Sequence, residues 1–266
     1  MSLQFLTPGR IISPTIMLGG GVSFSKTLIP TTVAVFQTQS HGVVLVDAGF
    51  SRAELDAPAQ HLDLFHRVAI RVQGSGEVST VAQLMRLGID PAHVSTIVAT
   101  HLHSDHIGAY VDFPNAEIIA PAAEFSGARK AGKIQGFTHI NQILHSGRAR
   151  PIVLSSEPSH GFPRHLDLFG DGQVLLLDAK GHTRGSVAVF LSDPVSGNTV
   201  LMAGDAAYSK NEYRREEMSW LMKLVGYQKE WIRETWRRLA AFEGSFPDIP
   251  VVLAHDNHEF EHLPHL

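Results

Sequence analysis

Thr100-His101-Leu102-His103-Ser104-Asp105-His106-Ile107-Gly108 is the stretch on which the reading of this chain turns. Four potential metal ligands, His101, His103, Asp105 and His106, fall within six residues, directly after the strand-like run Ser95–Ala99. A buried strand that ends there must emerge into a loop, and a sharply turning chain can direct such side chains at two neighbouring centres. Imidazole and carboxylate suit Zn2+ and, less exclusively, Fe2+ or Mn2+. One histidine in a polar loop is ordinary surface chemistry; His-x-His-x-Asp-His behind an apolar strand is a ligand pattern.

Further along the chain the same design recurs in dilute form. Gly181-His182-Thr183 follows the apolar run Val174–Ala179, Gly204-Asp205 follows Thr199–Ala203, and His255-Asp256 follows Val251–Ala254. Each of these alone reads as a turn or cap residue. Together with the first motif they complete the ligand count of a two-metal site, because polar groups at strand ends are easily gathered along one edge of a layered fold.

Apolar, β-branched runs also occur at Thr32–Phe36, Val43–Val46, Thr96–Ala99, Ile118–Ala120, Val187–Leu191 and Thr199–Met202, which predicts buried strands. Helical patterns lie between them. Ser79–Gly88 begins with capping residues, carries Val81, Leu84 and Met85 on one face and stops at glycine. Tyr227–Phe242 is amphipathic through Ile232, Trp236 and Leu239, with Gly244 beyond its expected end and both of its tryptophans expected in the core. Strands and helices alternate in both halves, so two sheets with helices outside are expected. Segments 50–78, 126–170 and 206–228 have weaker periodicity and are expected to form loops, lids or short helices over a site.

Composition narrows the function. The 266 residues carry a formal charge of −4 with 44% hydrophobic and 18% charged residues, enough apolar material for an extensive core. With no long Lys/Arg run, nucleic acid is not an expected partner. There is no cysteine, which excludes disulfides, thiolate ligands and a thiol nucleophile. The N-terminal stretch is interrupted by Pro8, Arg10 and Pro14, and nothing approaches the about 18 apolar residues of a membrane span, so a cytoplasmic protein without a membrane partner is expected.

The motif, with its distant His, Asp and His in order, resembles the signature of the metallo-β-lactamase fold superfamily, and Val44-Leu45-Val46-Asp47-Ala48-Gly49 resembles the strand and turn that precede it there. The resemblance implies an α/β protein: a four-layer αβ/βα sandwich of two similar halves, one domain over residues 1–266, with two divalent ions, most simply Zn2+, in a cleft at one edge. It further implies that His101, His103 and His182 hold one ion, that Asp105, His106 and His255 hold the other, and that Asp205 bridges them. Asp47 would orient a ligand or the motif's backbone.

Within the superfamily, the absence of cysteine sets the chain apart from the commonest zinc β-lactamases, and His103 sets it apart from the flavin-diiron relatives. Glyoxalase II-like thioesterases typically add a helical C-terminal domain, and eleven residues follow His255 here. Asp205-Ala206-Ala207-Tyr208 is similar to the N-acyl-homoserine lactone lactonases, in which such a tyrosine reaches the substrate carbonyl. The expected function is thus a dinuclear metal-dependent hydrolase that opens a lactone ring by attack of metal-activated hydroxide on a small ester substrate. Tyr208 would stabilise the oxyanion and Asp105 would protonate the leaving alkoxide. Another esterase, a thioesterase or an organophosphate hydrolase of the same fold is the alternative, and a metal-binding module without activity is the non-enzymatic one. Arg184, where many relatives carry proline, and Ser104, where a bulkier residue is common, depart from the pattern. Phe65, Phe137, Phe162 and Phe169 read first as core or packing residues and second as walls of an acyl pocket, and Ser219–Trp231 is a candidate homodimer contact.

Overall fold

The side chains of Val33–Phe36 alternate between two cores, and that alternation sets the layers. In the computed structural model, which describes residues 3–18, 25–38, 40–62, 67, 71–131 and 136–257, Val33 and Val35 face one apolar cluster while Ala34 and Phe36 face another. A strand with apolar residues on both faces must be covered on both.

Six strands form the first sheet: β1 (Leu3–Leu6), β4 (Val33–Thr38), β5 (Gly42–Val46), β7 (Val94–Val98), β8 (Glu117–Pro121) and β9 (Ala149–Ile152), side by side in that order. Pairing is antiparallel from β1 to β5 and parallel from β5 to β9. Five strands form the second: β10 (His165–Asp167), β11 (Val174–Asp178), β12 (Val187–Ser192), β13 (Thr199–Gly204) and β14 (Val251–Leu253), antiparallel except for β13 beside β14. A small antiparallel sheet, β3 (Lys26–Pro30), β2 (Arg10–Pro14) and β6 (Arg71–Gln73), flanks them.

The two large sheets share a central core in which Phe36, Val44, Val46, Val98 and Ile119 meet Leu176, Val189, Leu191, Met202 and Val252. Outside the first sheet, Leu45, Ile97 and Ile118 pack with Leu84 and Phe125 from helices Thr80–Arg86 and Ala122–Ala131. Outside the second, Leu177, Phe190 and Leu201 pack against Ile232, Trp236, Leu239 and Phe242 of helix Lys229–Ser245. The result is the expected α/β sandwich of four layers. Each fully buried Val, Leu or Ile contributes about 1.5–3 kcal/mol to it.

All eight expected strands form, with ends shifted by at most a few residues, and Ser79 caps the Thr80–Arg86 helix through its hydroxyl. Three details differ from expectation. Met85 is 63% exposed, because a helix of two turns presents only Leu84 squarely to the core. Gly244 lies inside the long helix, which runs to Ser245, and of the two tryptophans only Trp236 is fully buried; the Trp231 ring lies half-buried beneath the Lys180 ammonium at 4.6 Å. Within Ser219–Trp231, Trp220, Leu224 and Tyr227 are exposed. Among the described residues no helix is long and apolar enough to cross a membrane.

Candidate metal centre

Strand direction explains why residues far apart in sequence meet. β11 and β13 are both antiparallel to β12, and β14 is parallel to β13, so the C-terminal ends of β11, β13 and β14 point to one edge. β5 and β7, parallel to each other in the first sheet, end at the same cleft. His101 follows β7, Asp105 and His106 sit in the short helix Ser104–Ile107, His182 lies in the turn after β11, Asp205 follows β13 directly, and His255 follows β14 after Ala254. All seven expected ligands are therefore gathered, in two groups: His101, His103 and His182, and Asp105, His106, Asp205 and His255. Within each group the candidate ligand atoms lie within 4.8 Å of one another.

The groups adjoin. His103 Nδ1 is 3.0 Å from His101 Nε2 and 3.2 Å from His182 Nε2. Asp205 lies between the groups, with Oδ2 3.5 Å from His182 Nε2 and Oδ1 3.2 Å from both His106 Nε2 and His255 Nε2. Asp105 Oδ2 is 3.3 Å from His255 Nε2.

Supporting groups fix the outer nitrogens. His106 Nδ1 donates to Asp47 Oδ2 at 2.8 Å, and His255 Nδ1 donates to the Pro30 carbonyl at 2.7 Å, so Nε2 of each ring faces the centre. Asp47 also accepts from the Thr100 amide at 2.7 Å and the Thr100 hydroxyl at 2.9 Å, and holds a left-handed backbone, φ 61°. It thus orients both a candidate ligand and the backbone that leads into the motif. Gly204, also left-handed at φ 53°, lets β13 turn beneath Thr100; a Cβ there would lie 2.7 Å from the Thr100 hydroxyl oxygen. Trp236 Nε1 donates to the Ala206 carbonyl at 2.7 Å and so anchors the turn that carries Asp205 to the long helix.

The electrostatics of the two groups are opposite. Burial and the neighbouring imidazoles drive His101 well below its ordinary value, and burial followed by His182 takes His103 down to about 3. His182 is also lowered, by burial. In the other group burial again opposes the charged ring, but Asp205 and Asp105 override it and push His255 up to about 10. His106 rises likewise, against its burial, through Asp205, Asp47 and Asp105. Burial pushes Asp205 upward, yet His255 and His106 hold it well below the carboxylate range.

Among the described residues, His106 Nε2, His182 Nδ1 and Asp205 Oδ1 are buried without a hydrogen-bond partner. Leaving one such group unsatisfied costs about 1–3 kcal/mol; His106 Nε2 and Asp205 Oδ1 both face the cleft, which argues that cations complete it. A donor set of imidazole nitrogens and carboxylate oxygens fits divalent metals.

The cleft opens into a cavity of about 780 Å³. Tyr208 forms part of its wall, buried, with its ring centroid 6.3 Å from that of His182 and 5.9 Å from that of His255. Burial, then Asp205, Glu212 and Asp105, pushes its hydroxyl well above the ordinary tyrosine value, so it stays protonated. Ile11, Ile29, Leu221, Leu224 and Val225 give the cavity an apolar side.

Of the three phenylalanines named from the sequence that fall among the described residues, only Phe137 lines the cavity, with its ring 4.4 Å from that of His103. Phe162 is buried in the outer core of the second sheet, Phe169 stacks on His41, and Phe65 lies outside the described residues. Ser104 is fully buried and donates to the Gly136 carbonyl, and Arg184 lines the cavity with its aliphatic stem against Gly127. Glu124, which no motif indicated, is fully buried between the loops that carry His101 and His182.

Comparison with known proteins agrees with this geometry. Residues 27–255 match the family profile described as the Metallo-beta-lactamase superfamily. A probable metallo-hydrolase of Mycobacterium tuberculosis is 32% identical over 81% of this chain and 71% of its own length. The N-acyl homoserine lactonase AttM of Azorhizobium caulinodans is 29% identical over 68% of this chain and 66% of its own. In fold, an N-acyl homoserine lactone hydrolase solved with the product N-hexanoyl-L-homoserine at its catalytic metal centre superposes with a TM-score of 0.80 at 22% identity, over 99% of this chain and 96% of that one.

Proposed function

This chain belongs to the metallo-beta-lactamase superfamily, and from that premise we propose that it is a two-metal hydrolase opening lactones of the N-acyl-homoserine type. His101, His103 and His182 would hold one ion, Asp105, His106 and His255 the other, with Asp205 shared; zinc is the ion that best suits this nitrogen-rich set. We read residues 1–266 as one domain, because both sheets contribute to the same cleft.

The observation that carries the substrate assignment is Tyr208, a protonated buried phenol in the cavity wall beside both ligand groups. When bound, the two cations supply Lewis acidity and an acidified water. The protein's own residues supply the rest. Tyr208 donates a hydrogen bond to the carbonyl oxygen as charge builds on it. Asp105, in the cleft 3.3 Å from His255, would take the proton that the attacking water loses and pass it to the ring oxygen as its bond to the carbonyl carbon breaks. Ile11, Ile29, Leu221, Leu224 and Val225 take up an acyl chain and shield it from water. The M. tuberculosis and A. caulinodans relatives, named as a metallo-hydrolase and a lactonase, support the same reading.

The test is ring opening of an N-acyl-homoserine lactone followed in a pH-stat, on protein with its metal content measured. Turnover at two ions per chain, abolished by a chelator, is the expected result. No turnover with both sites filled would discard the lactone and turn attention to thioesters and phosphotriesters.

A further inference from the structure

Glu124 lies in the first turn of helix Ala122–Ala131 with none of its surface exposed. A buried carboxylate is costly unless its oxygens are fully hydrogen-bonded or paired with a cation, and among the described residues no Lys or Arg pairs with it. Instead it receives three hydrogen bonds from two loops. Oε1 accepts from the Leu102 amide at 3.0 Å, between His101 and His103. Oε2 accepts from the Thr183 hydroxyl at 2.6 Å and the Gly185 amide at 2.9 Å, just beyond His182.

The second loop is braced to receive this carboxylate. The Ser186 hydroxyl accepts from the Thr183 amide at 3.0 Å and lies 2.5 Å from the Thr183 hydroxyl, which leaves the latter free to donate to Glu124. Gly185 permits the approach, since a Cβ there would lie 2.4 Å from the Glu124 amide nitrogen. His101, His103 and His182 come from different sheets, and Glu124 hydrogen-bonds to both of the loops that carry them.

We propose that Glu124 is a positioning residue, a clasp between the His101–His103 and His182 loops that sets the geometry of the three-histidine group. This rests on reading that group as a metal site. Glu124 accepts from the residue between His101 and His103 and from Thr183 and Gly185, just beyond His182, so its effect should fall chiefly on the three-histidine group. A glutamine cannot replace it: an amide accepts on one side only, and its NH2 would face either the Leu102 or the Gly185 amide, donor against donor.

The experiment is stepwise titration of metal-free wild type, Glu124→Gln and Thr183→Val with Co2+ against a competing chelator. Ligand-field spectra and thermal melts are recorded on the same samples. Two ions should bind wild type. In Glu124→Gln one of the two should weaken by about 10–100-fold, with a changed cobalt spectrum and the other affinity kept within about three-fold. Thr183→Val, which loses one of the three bonds, should shift the same step by less. A folded Glu124→Gln with both affinities and its spectrum unchanged would overturn the clasp. Should that variant fail to fold, an unaltered Thr183→Val profile would do so. Wild type binding fewer than two ions would overturn the two-metal reading itself and this inference with it.

Discussion

The first sheet delivers four of the seven candidate ligands on one six-residue stretch, whereas the second delivers three on three separate strand ends. The contiguous set is arranged locally: Asp47 and Thr100 steer the turn, and the short Ser104–Ile107 helix places Asp105 and His106. The dispersed set exists only when β11, β13 and β14 lie in register, with Gly204 beneath Thr100 and Trp236 gripping the Asp205 turn. The lesson is that half of this centre is held by nearby backbone and half by the whole second layer. Asp205 is where the two halves meet.

That contrast yields ranked expectations. Asp205→Ala should have the largest effect, because this carboxylate faces both groups: loss of metal below two ions per chain and at least about 10³-fold loss of kcat/KM, read by metal analysis and pH-stat. Retention of both ions with near-normal turnover would break the idea of a shared residue. Tyr208→Phe, on the dispersed side but outside the ligand set, should lower kcat by about 10²-fold with metal content intact. Asp47→Asn, which weakens the local support of His106, should cost about 10–100-fold in affinity for one ion and leave Tyr208-dependent kcat effects unchanged. If it left both affinities unchanged, Asp47 would not be what holds the motif locally.

The smallest effect separates the two groups by their protons. In the metal-free protein the lowered values of His101, His103 and His182 leave these rings neutral at pH 7, while His255 near 10 and the raised His106 remain protonated. Metal entering the mixed Asp/His group must therefore expel protons, and metal entering the three-histidine group need not. Because metal must displace protons from the raised groups, and that competition grows as pH falls, acid should weaken the proton-releasing site first. Calorimetric titration at pH 7 in buffers of different ionisation enthalpy should give one binding step with about one to two protons released and another with none. Equal release at both steps would contradict the contrast.

Legibility follows the same divide. Runs such as Val43–Val46 and Val187–Leu191 declare themselves because both faces are apolar. β9, with Arg150 and Pro151 exposed, and β6, with Arg71 and Gln73 exposed, carry too little apolar pattern to be seen as strands. They form because neighbouring strands offer open edges. Phe162 and Phe169 serve packing, the first reading of them, but sequence could not separate them from Phe137, because nothing in a phenylalanine states which surface it will face.

Sequence alone determined the chemistry: imidazoles and carboxylates in a His-x-His-x-Asp-His pattern, strand-end ligands in order, no thiol anywhere, and a tyrosine three residues past Asp205. Those features are local in the chain, and residue type fixes what each side chain can bind or donate. Tertiary structure decided which residues serve that chemistry from afar. The Pro30 carbonyl takes the His255 proton, Trp236 anchors the Asp205 turn, and Glu124 joins the two histidine loops. None of these has a local signature, because a hydrogen bond across the sandwich depends on how the sheets stack and not on what stands next in sequence.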